Sequence, residues 1–295
     1  MKHLKVFVLI LVLAGVFVVT ACSNGADSAI SSSGHSFISY KGTKAPNEAK
    51  EVGDIVFNDG SATPYTEDLT LTEEQKAAAI AIIFYKGSGL NSDIYNGTYL
   101  EGNAKWITGD TTTSRTLGVG LKHASFSWCK SSAISCNTDI KTIQCQSSGS
   151  AGSLTFTGYR NGSDNLDKIS EFLSDPDNST SDDTDDSEKY PAFYFAKNYN
   201  STATNLGTAY ASGWYLPSIA ELFQIYANGK GSSKTFDIDA ASRLCGGIRF
   251  GSGIYCSSSQ YSSADSEPNL YFSTGGCGPG LKQTAYSVCA IREFN

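Results

Sequence analysis

Apolar residues along this chain recur in three rhythms. Ile80 to Tyr85 is a continuous apolar run of strand length, and Arg115 to Lys122 looks like a neighbouring strand. Gly53 to Gly60 reads as a short strand running into an Asp-Gly turn. Thr72 followed by Gln75 fits a capping box, so a short helix through Lys76 and Ala79 is expected. Leu166, Ile169, Phe172 and Leu173 fall on one helical face. A second helix opens near Pro217, with Glu221 at its positive end and Ile219, Leu222, Phe223 and Tyr226 as an apolar stripe. Toward the end, strand-like frames such as Asn269 to Phe272 and Tyr286 to Arg292 alternate with chemically unrelated stretches around Cys256, Asp265 to Pro268 and Gly275 to Gly280. These strands and helices read as one sizeable domain, with no second domain expected.

The first fifty residues follow other rules. Lys2 and Lys5 precede an apolar run from Val6 to Val19, too short to span a bilayer comfortably and shaped like an export signal. Residues 23–48 are rich in Ser, Gly, Ala, Asn and Lys and carry too little apolar surface to fold. The expected organisation is a leader over 1–21, a tether over 22–50 and a single domain over 51–295. The net charge of −7 becomes −9 when the leader, with two lysines and no acid, is removed. With no basic stripe, nucleic acid is not an expected partner.

Chemistry is sparse. The chain has three histidines, and His123 is the one inside the expected domain. A serine hydrolase would need a base and a Gly-x-Ser-x-Gly elbow, and no such elbow occurs. No C-x-x-C occurs either, so neither zinc nor any other metal site is expected, and no cofactor. Beyond Cys22, seven cysteines remain, at 129, 136, 145, 245, 256, 277 and 289. An odd count leaves at least one thiol over, and spacing does not fix the pairing, although Cys129, Cys136 and Cys145 are close enough for one local bridge. Asp175, Asp177 and Ser179 begin like a calcium loop, but Thr180 stands where Gly is needed and Asp186 where Glu is expected. The stretch from Asp175 to Glu188 reads as a solvated acidic insertion.

Two phrases carry a resemblance. Val19-Thr-Ala-Cys22 resembles the lipobox of bacterial lipoproteins, which implies lipidation at Cys22, export, and display by a lipid anchor on the outer membrane, facing the cell exterior. Gly213-Trp-Tyr-Leu-Pro-Ser-Ile-Ala-Glu-Leu222, then Tyr255-Cys-Ser-Ser-Ser-Gln260, then Tyr286-Ser-Val-Cys-Ala-Ile-Arg292 resemble bacterial surface proteins with a C-type-lectin-like fold, a fold shared with formylglycine-generating enzymes. More narrowly the chain is similar to the treponemal variable lipoproteins diversified by a retroelement. That resemblance implies an α+β fold of twisted antiparallel strands with two or more helices and long loops. It also implies a non-enzymatic binding protein whose carboxy-terminal face, about 250–285, differs from copy to copy and recognises a macromolecular or cell-surface ligand.

The variable, ligand-binding face expected from it comprises Tyr255, Cys256, Tyr261, Ser263, Asp265, Ser266, Pro268, Asn269, Gly276, Cys277, Gly278, Pro279 and Gly280. Adenine mutagenesis of Asn codons reaches these residue types but not Glu267, Lys282 or Gln283. Cys256 stands where related proteins carry Trp, which suggests a position released from packing; drift, or a disulfide with Cys277, are the other readings. Gly276 to Gly280 also reads as a flexible hairpin loop. Tyr255, Tyr261, Tyr271 and Tyr286 would supply rigid contact area. Two alternatives accompany this reading. Glu267-Pro-Asn269 spells a tripeptide used by calcium-dependent sugar binders, and the shared fold allows a formylglycine-generating-type enzyme, although its copper-binding cysteine motif is not found around Cys277 or Cys289.

Overall fold

The computed structural model describes residues 39–97, 105–175 and 187–294. Cys22, the leader, and most of the acidic segment 175–188 lie outside the described residues. The compact unit begins at Ser39, not near residue 51. The reason is backbone pairing: Lys44 exchanges hydrogen bonds with Ala62 at 2.8 and 3.1 Å, and its Nζ meets the buried Asp54 carboxylate at 2.6 Å. A ladder recruits polar residues as readily as apolar ones, so composition alone set the boundary too late.

In chain order the strands are β1 (Asp54–Phe57), β2 (Ala62–Pro64), β3 (Ala79–Gly87), β4 (Ile94–Tyr95), β5 (Trp106–Ile107), β6 (Arg115–Ser127), β7 (Cys145–Ser150), β8 (Ser153–Gly158), β9 (Trp214–Tyr215), β10 (Ile254–Cys256), β11 (Ser266–Tyr271), β12 (Gly276–Leu281) and β13 (Ala285–Glu293). The helices are α1 (Glu73–Ala78), α2 (Asn165–Leu173), α3 (Pro191–Lys197), α4 (Ile219–Gly229) and α5 (Ile238–Leu244). One sheet dominates, ordered β12-β11-β10-β13-β6-β3-β1-β2, with β9 also pairing β13. Its pairs are antiparallel except β10 with β13.

At β3 both faces of this sheet are covered, which explains the unbroken apolar run there. Ala81 and Ile83 point into a core shared with Ile169 and Phe172 of α2 and Phe193 and Ala196 of α3. Ile82 and Phe84 point into the opposite core, with Ile219, Leu222 and Ile225 of α4 and Ile238 of α5. The expected Thr72 capping box is present at the start of α1. At α4 the cap is Ser218, with Pro217 just ahead of it, and Glu221 closes a second capping box.

Glu221 does more than cap. It is fully buried, and one oxygen accepts from the backbone N–H of Ser218 at 2.8 Å and of Gly162 at 3.0 Å. Its other oxygen receives Arg115 Nη1 and the Tyr215 hydroxyl, each at 3.0 Å, while Arg115 Nη2 donates to that hydroxyl at 2.7 Å. A buried carboxylate is tolerable here because each oxygen has donors and a guanidinium neutralises it. The network ties α4 to β6, β9 and the segment before α2. It fixes the helix against the sheet whose far end carries the predicted variable residues.

Candidate recognition face

The carboxy-terminal strands deliver the thirteen predicted residues to three different places. Register pairs Tyr255 with Leu270 and Cys256 with Asn269 across β10 and β11, and Asn269 with Gly278 across β11 and β12. Because successive side chains on a strand point to opposite faces, neighbours in sequence part company here. Tyr255 is 2% exposed and packs in the core with α4, where its hydroxyl meets His123 Nδ1 at 2.7 Å. Burial lowers the His123 pKa to about 4, so this imidazole is neutral at physiological pH.

Cys256 points the other way and is 0% exposed, in the core with α3. The expectation that its side chain stands free of packing is therefore corrected. Its thiol donates to Glu267 Oε2 at 2.8 Å. Burial raises the Glu267 carboxyl well above its ordinary range, which suits a neutral acid held among apolar groups.

Ser266, Pro268 and Asn269 are buried as well, and Gly278 and Gly280 are covered. The expected flexible loop Gly276–Gly280 is strand β12, at the edge of the sheet, where Pro279 is tolerated because an outward-facing position needs no N–H. Its glycines are steric. A Cβ at Gly278 would lie 2.6 Å from the Tyr271 hydroxyl, and one at Gly280 would overlap the Asn269 amide and lie 2.9 Å from the Tyr286 ring. These two rings and the amide lie across β12, and only backbone fits beneath them.

The remaining predicted residues reach solvent. Ser263 is exposed, and Tyr261 and Asp265 are half-buried, in the loop between β10 and β11. Hydrogen bonds from the Ser263 and Ser266 hydroxyls hold the Asp265 carboxyl below its usual range. Gly276 and Cys277 are half-buried, and Pro279 is exposed. Cys277 packs against the core opposite to that of Cys256, so the two thiols lie on different sides of the sheet. The disulfide between them that the sequence left open is excluded by this alternation.

A different set of side chains forms a continuous surface. Tyr286 pairs with Phe126, the Tyr255–Ser287 bridge sets Ile254 alongside Tyr286, Ile254 pairs with Tyr271, and Tyr271 with Gly276. This line crosses β6, β13, β10, β11 and β12 on one face. Phe126 is 36% and Ile254 38% exposed, and both tyrosines are half-buried. Exposed apolar and aromatic side chains that adjoin across strands are the kind of surface that binds a partner. Two of the four tyrosines expected to supply contact area belong to it, whereas Tyr255 does not. Phe126 and Ile254 were missed: alternation around each was visible, but nothing in the sequence said which face would be left uncovered.

Of Glu267, Lys282 and Gln283, which the sequence reading set apart from the variable positions, two are deeply structural. Lys282 is fully buried; its Nζ donates to the carbonyls of Ser135 and Ala264 at 2.7 Å and of Thr138 at 3.3 Å, and to Gln260 Oε1 at 3.2 Å. Burial lowers its pKa to about 8, which still leaves mainly an ammonium at neutral pH, as four oxygen acceptors require. Glu267 and Asn269 are 0% and 1% exposed, so the sugar-binder tripeptide faces inward. Among the described residues no group of three or more His, Cys, Asp or Glu side chains is arranged to hold a metal ion. A cleft of about 440 Å³ between α2, α3 and residues 211–216, with Leu166, Phe193, Trp214 and Leu216 in its walls, shares no residue with the predicted thirteen.

The architecture is that of an α+β protein built on a mostly antiparallel sheet. No protein-family model and no curated protein matches the sequence. Among solved structures the chain is similar to a fimbrial protein from Bacteroides ovatus, at 17% identity and a TM-score of 0.51, over 82% of this chain and 48% of that one. The chain thus spans about half the length of the fimbrial protein, and at this identity the likeness concerns the fold alone.

Proposed function

We propose that this protein is a lipid-anchored, outer-membrane surface protein of C-type-lectin-like fold that binds a macromolecular ligand without catalysis, and that its carboxy-terminal surface is diversified by a retroelement. The observation that carries the binding part is the half-exposed line Phe126, Tyr286, Ile254 and Tyr271, crossing strands whose other face is packed on α4. Affinity would come from rigid aromatic area on a backbone that need not move. The similarity to a fimbrial protein is compatible with surface display and adds nothing about the ligand. Lipidation at Cys22 rests on the lipobox resemblance.

Diversification would act on the solvent-reaching members of the expected set: Tyr261, Ser263, Asp265, Cys277 and Pro279. Tyr261, Ser263 and Asp265 lie in the loop between β10 and β11, whereas Cys277 and Pro279 alternate with Gly276 and Gly278 and so face the other side of β12 from the aromatic line. The calcium-dependent sugar reading draws no support from the fold, since Glu267 and Asn269 are inside the protein.

Sequencing the 3′ end of the gene and its surroundings in several isolates tests this reading. A neighbouring reverse transcriptase, a near-copy differing at adenines, and substitutions concentrated at 261, 263, 265, 277 and 279 are expected. Copies that differ evenly along the whole domain, with no such template, would remove the diversification part. The binding part is checked separately, with the Tyr271→Ala/Tyr286→Ala chain: capture of cell-surface material by the native chain should fall by at least tenfold, as for loss of central aromatic anchors.

A further inference from the structure

The geometry points to a disulfide between Cys129 and Cys136. Cys129 lies just past β6, after Trp128, and Cys136 lies in a single helical turn over Ile134–Asn137. The chain between them doubles back through hydrogen bonds from Ala133 N–H to Lys130 at 2.9 Å and from Cys136 N–H to Ala133 at 3.1 Å. Both side chains are buried, at 0% and 1% exposure, in the same core; both are free thiols in this structure, and Cys136 lies near enough to add to the upward push on the Cys129 thiol. Residues 282 and 283 hold both ends of this loop. Cys129 N–H donates to the Lys282 carbonyl at 3.0 Å, Lys282 Nζ to the Ser135 carbonyl at 2.7 Å, and Gln283 Nε2 to Cys136 Sγ at 3.0 Å.

The competing partners are placed elsewhere. Cys145, Cys245, Cys277 and Cys289 pack on the opposite core, and Cys256, on the same side, is engaged with Glu267. Of the local pairings that spacing leaves open, the fold thus retains one. Oxidation joins the two sulfurs as both thiols give up their protons. The two electrons pass to a disulfide oxidant, whose own S–S bond is cleaved to two thiols. Burial pushes the Cys129 thiol far up, so attack is slow once the core has closed, and the bond must form while the chain is still folding. The bridge would staple the end of β6 to the loop that cradles Lys282, and so brace the start of β13 beneath the aromatic line. It is independent of the ligand and of diversification.

The test refolds the reduced full-length chain from urea in a mixture of reduced and oxidised glutathione, followed by acid quench, alkylation under denaturing conditions and tryptic mapping. Cleavage after Lys122, Lys130 and Lys141 puts the two cysteines in separate peptides, 123–130 and 131–141. These should be recovered joined in most molecules and separate after reduction. The folded, reduced chain exposed to the same glutathione mixture should stay unbridged over the same hours. Recovery of Cys129 and Cys136 both alkylated after refolding, or of either joined mainly to another cysteine, would overturn the assignment.

Discussion

Helix α4 and the hairpin β11–β12 both lean on the same sheet, and they bury polar side chains in opposite ways. Glu221, at the start of α4, has each oxygen met by donors, including a guanidinium. Glu267, on β11, has one oxygen facing a thiol while Oε1 has no hydrogen-bond partner, as does Asn269 Oδ1 two residues on. The first is a junction that locks several elements together; the second is kept in place by the packing around it. Substitution should therefore act at the two sites with different size and even different sign.

The largest effect is expected at the junction. Glu221→Ala leaves Arg115 buried with its main counter-charge removed and opens the α4 cap, and should destabilise the fold by about 3–5 kcal/mol in urea unfolding. A loss below about 1 kcal/mol would mean that the network adds little beyond packing. Next comes Gly280→Ala on the hairpin. The added methyl overlaps the Asn269 amide and crowds Tyr286, at a cost of about 1–3 kcal/mol. Because Tyr286 belongs to the exposed line, the same change should disturb tyrosine fluorescence.

Glu267→Gln should reverse the sign. Burial lifts the folded carboxyl well above the ordinary value of 4.5, so between that value and the lifted one the folded chain retains a proton that the unfolded chain releases. Stability conferred on the native chain then falls as pH rises through this window. The amide variant, which has no proton to retain, should be the more stable form at pH 7 and converge with the native chain below about pH 4.5. Unfolding midpoints at a series of pH values decide it; parallel curves would show that Glu267 is ionised in the fold. Smallest of all is Ser263→Ala, an exposed loop position, for which a change within about 0.5 kcal/mol is expected in the same assay.

The comparison also shows which kinds of information the chain displays openly. Thr72 with Gln75, and Ser218 with Glu221, announce helix starts because capping is a contact between residues three apart. The stripe Ile219, Leu222, Phe223 and the run Ile80 to Phe84 are legible for a similar reason, since periodicity is local. The thirteen-residue face was read as one surface because its members are close in sequence and alike in tolerance. Strand alternation sent Tyr255 and Cys256 into opposite cores, and the turn after Tyr271 folded Gly276 to Gly280 back as an edge strand. Residues 39–50 were read as tether because their composition is polar, and backbone pairing at Lys44 is blind to composition.

By itself, then, the sequence determined the helix caps and the central strands, which are properties of short windows. Tertiary structure alone decided which side of each carboxy-terminal strand meets solvent, because that depends on where α3 and α4 come to rest against the sheet. Tyr286 and Phe126 are 160 residues apart in the chain and directly opposite in the sheet, and no local pattern records that they share the uncovered face.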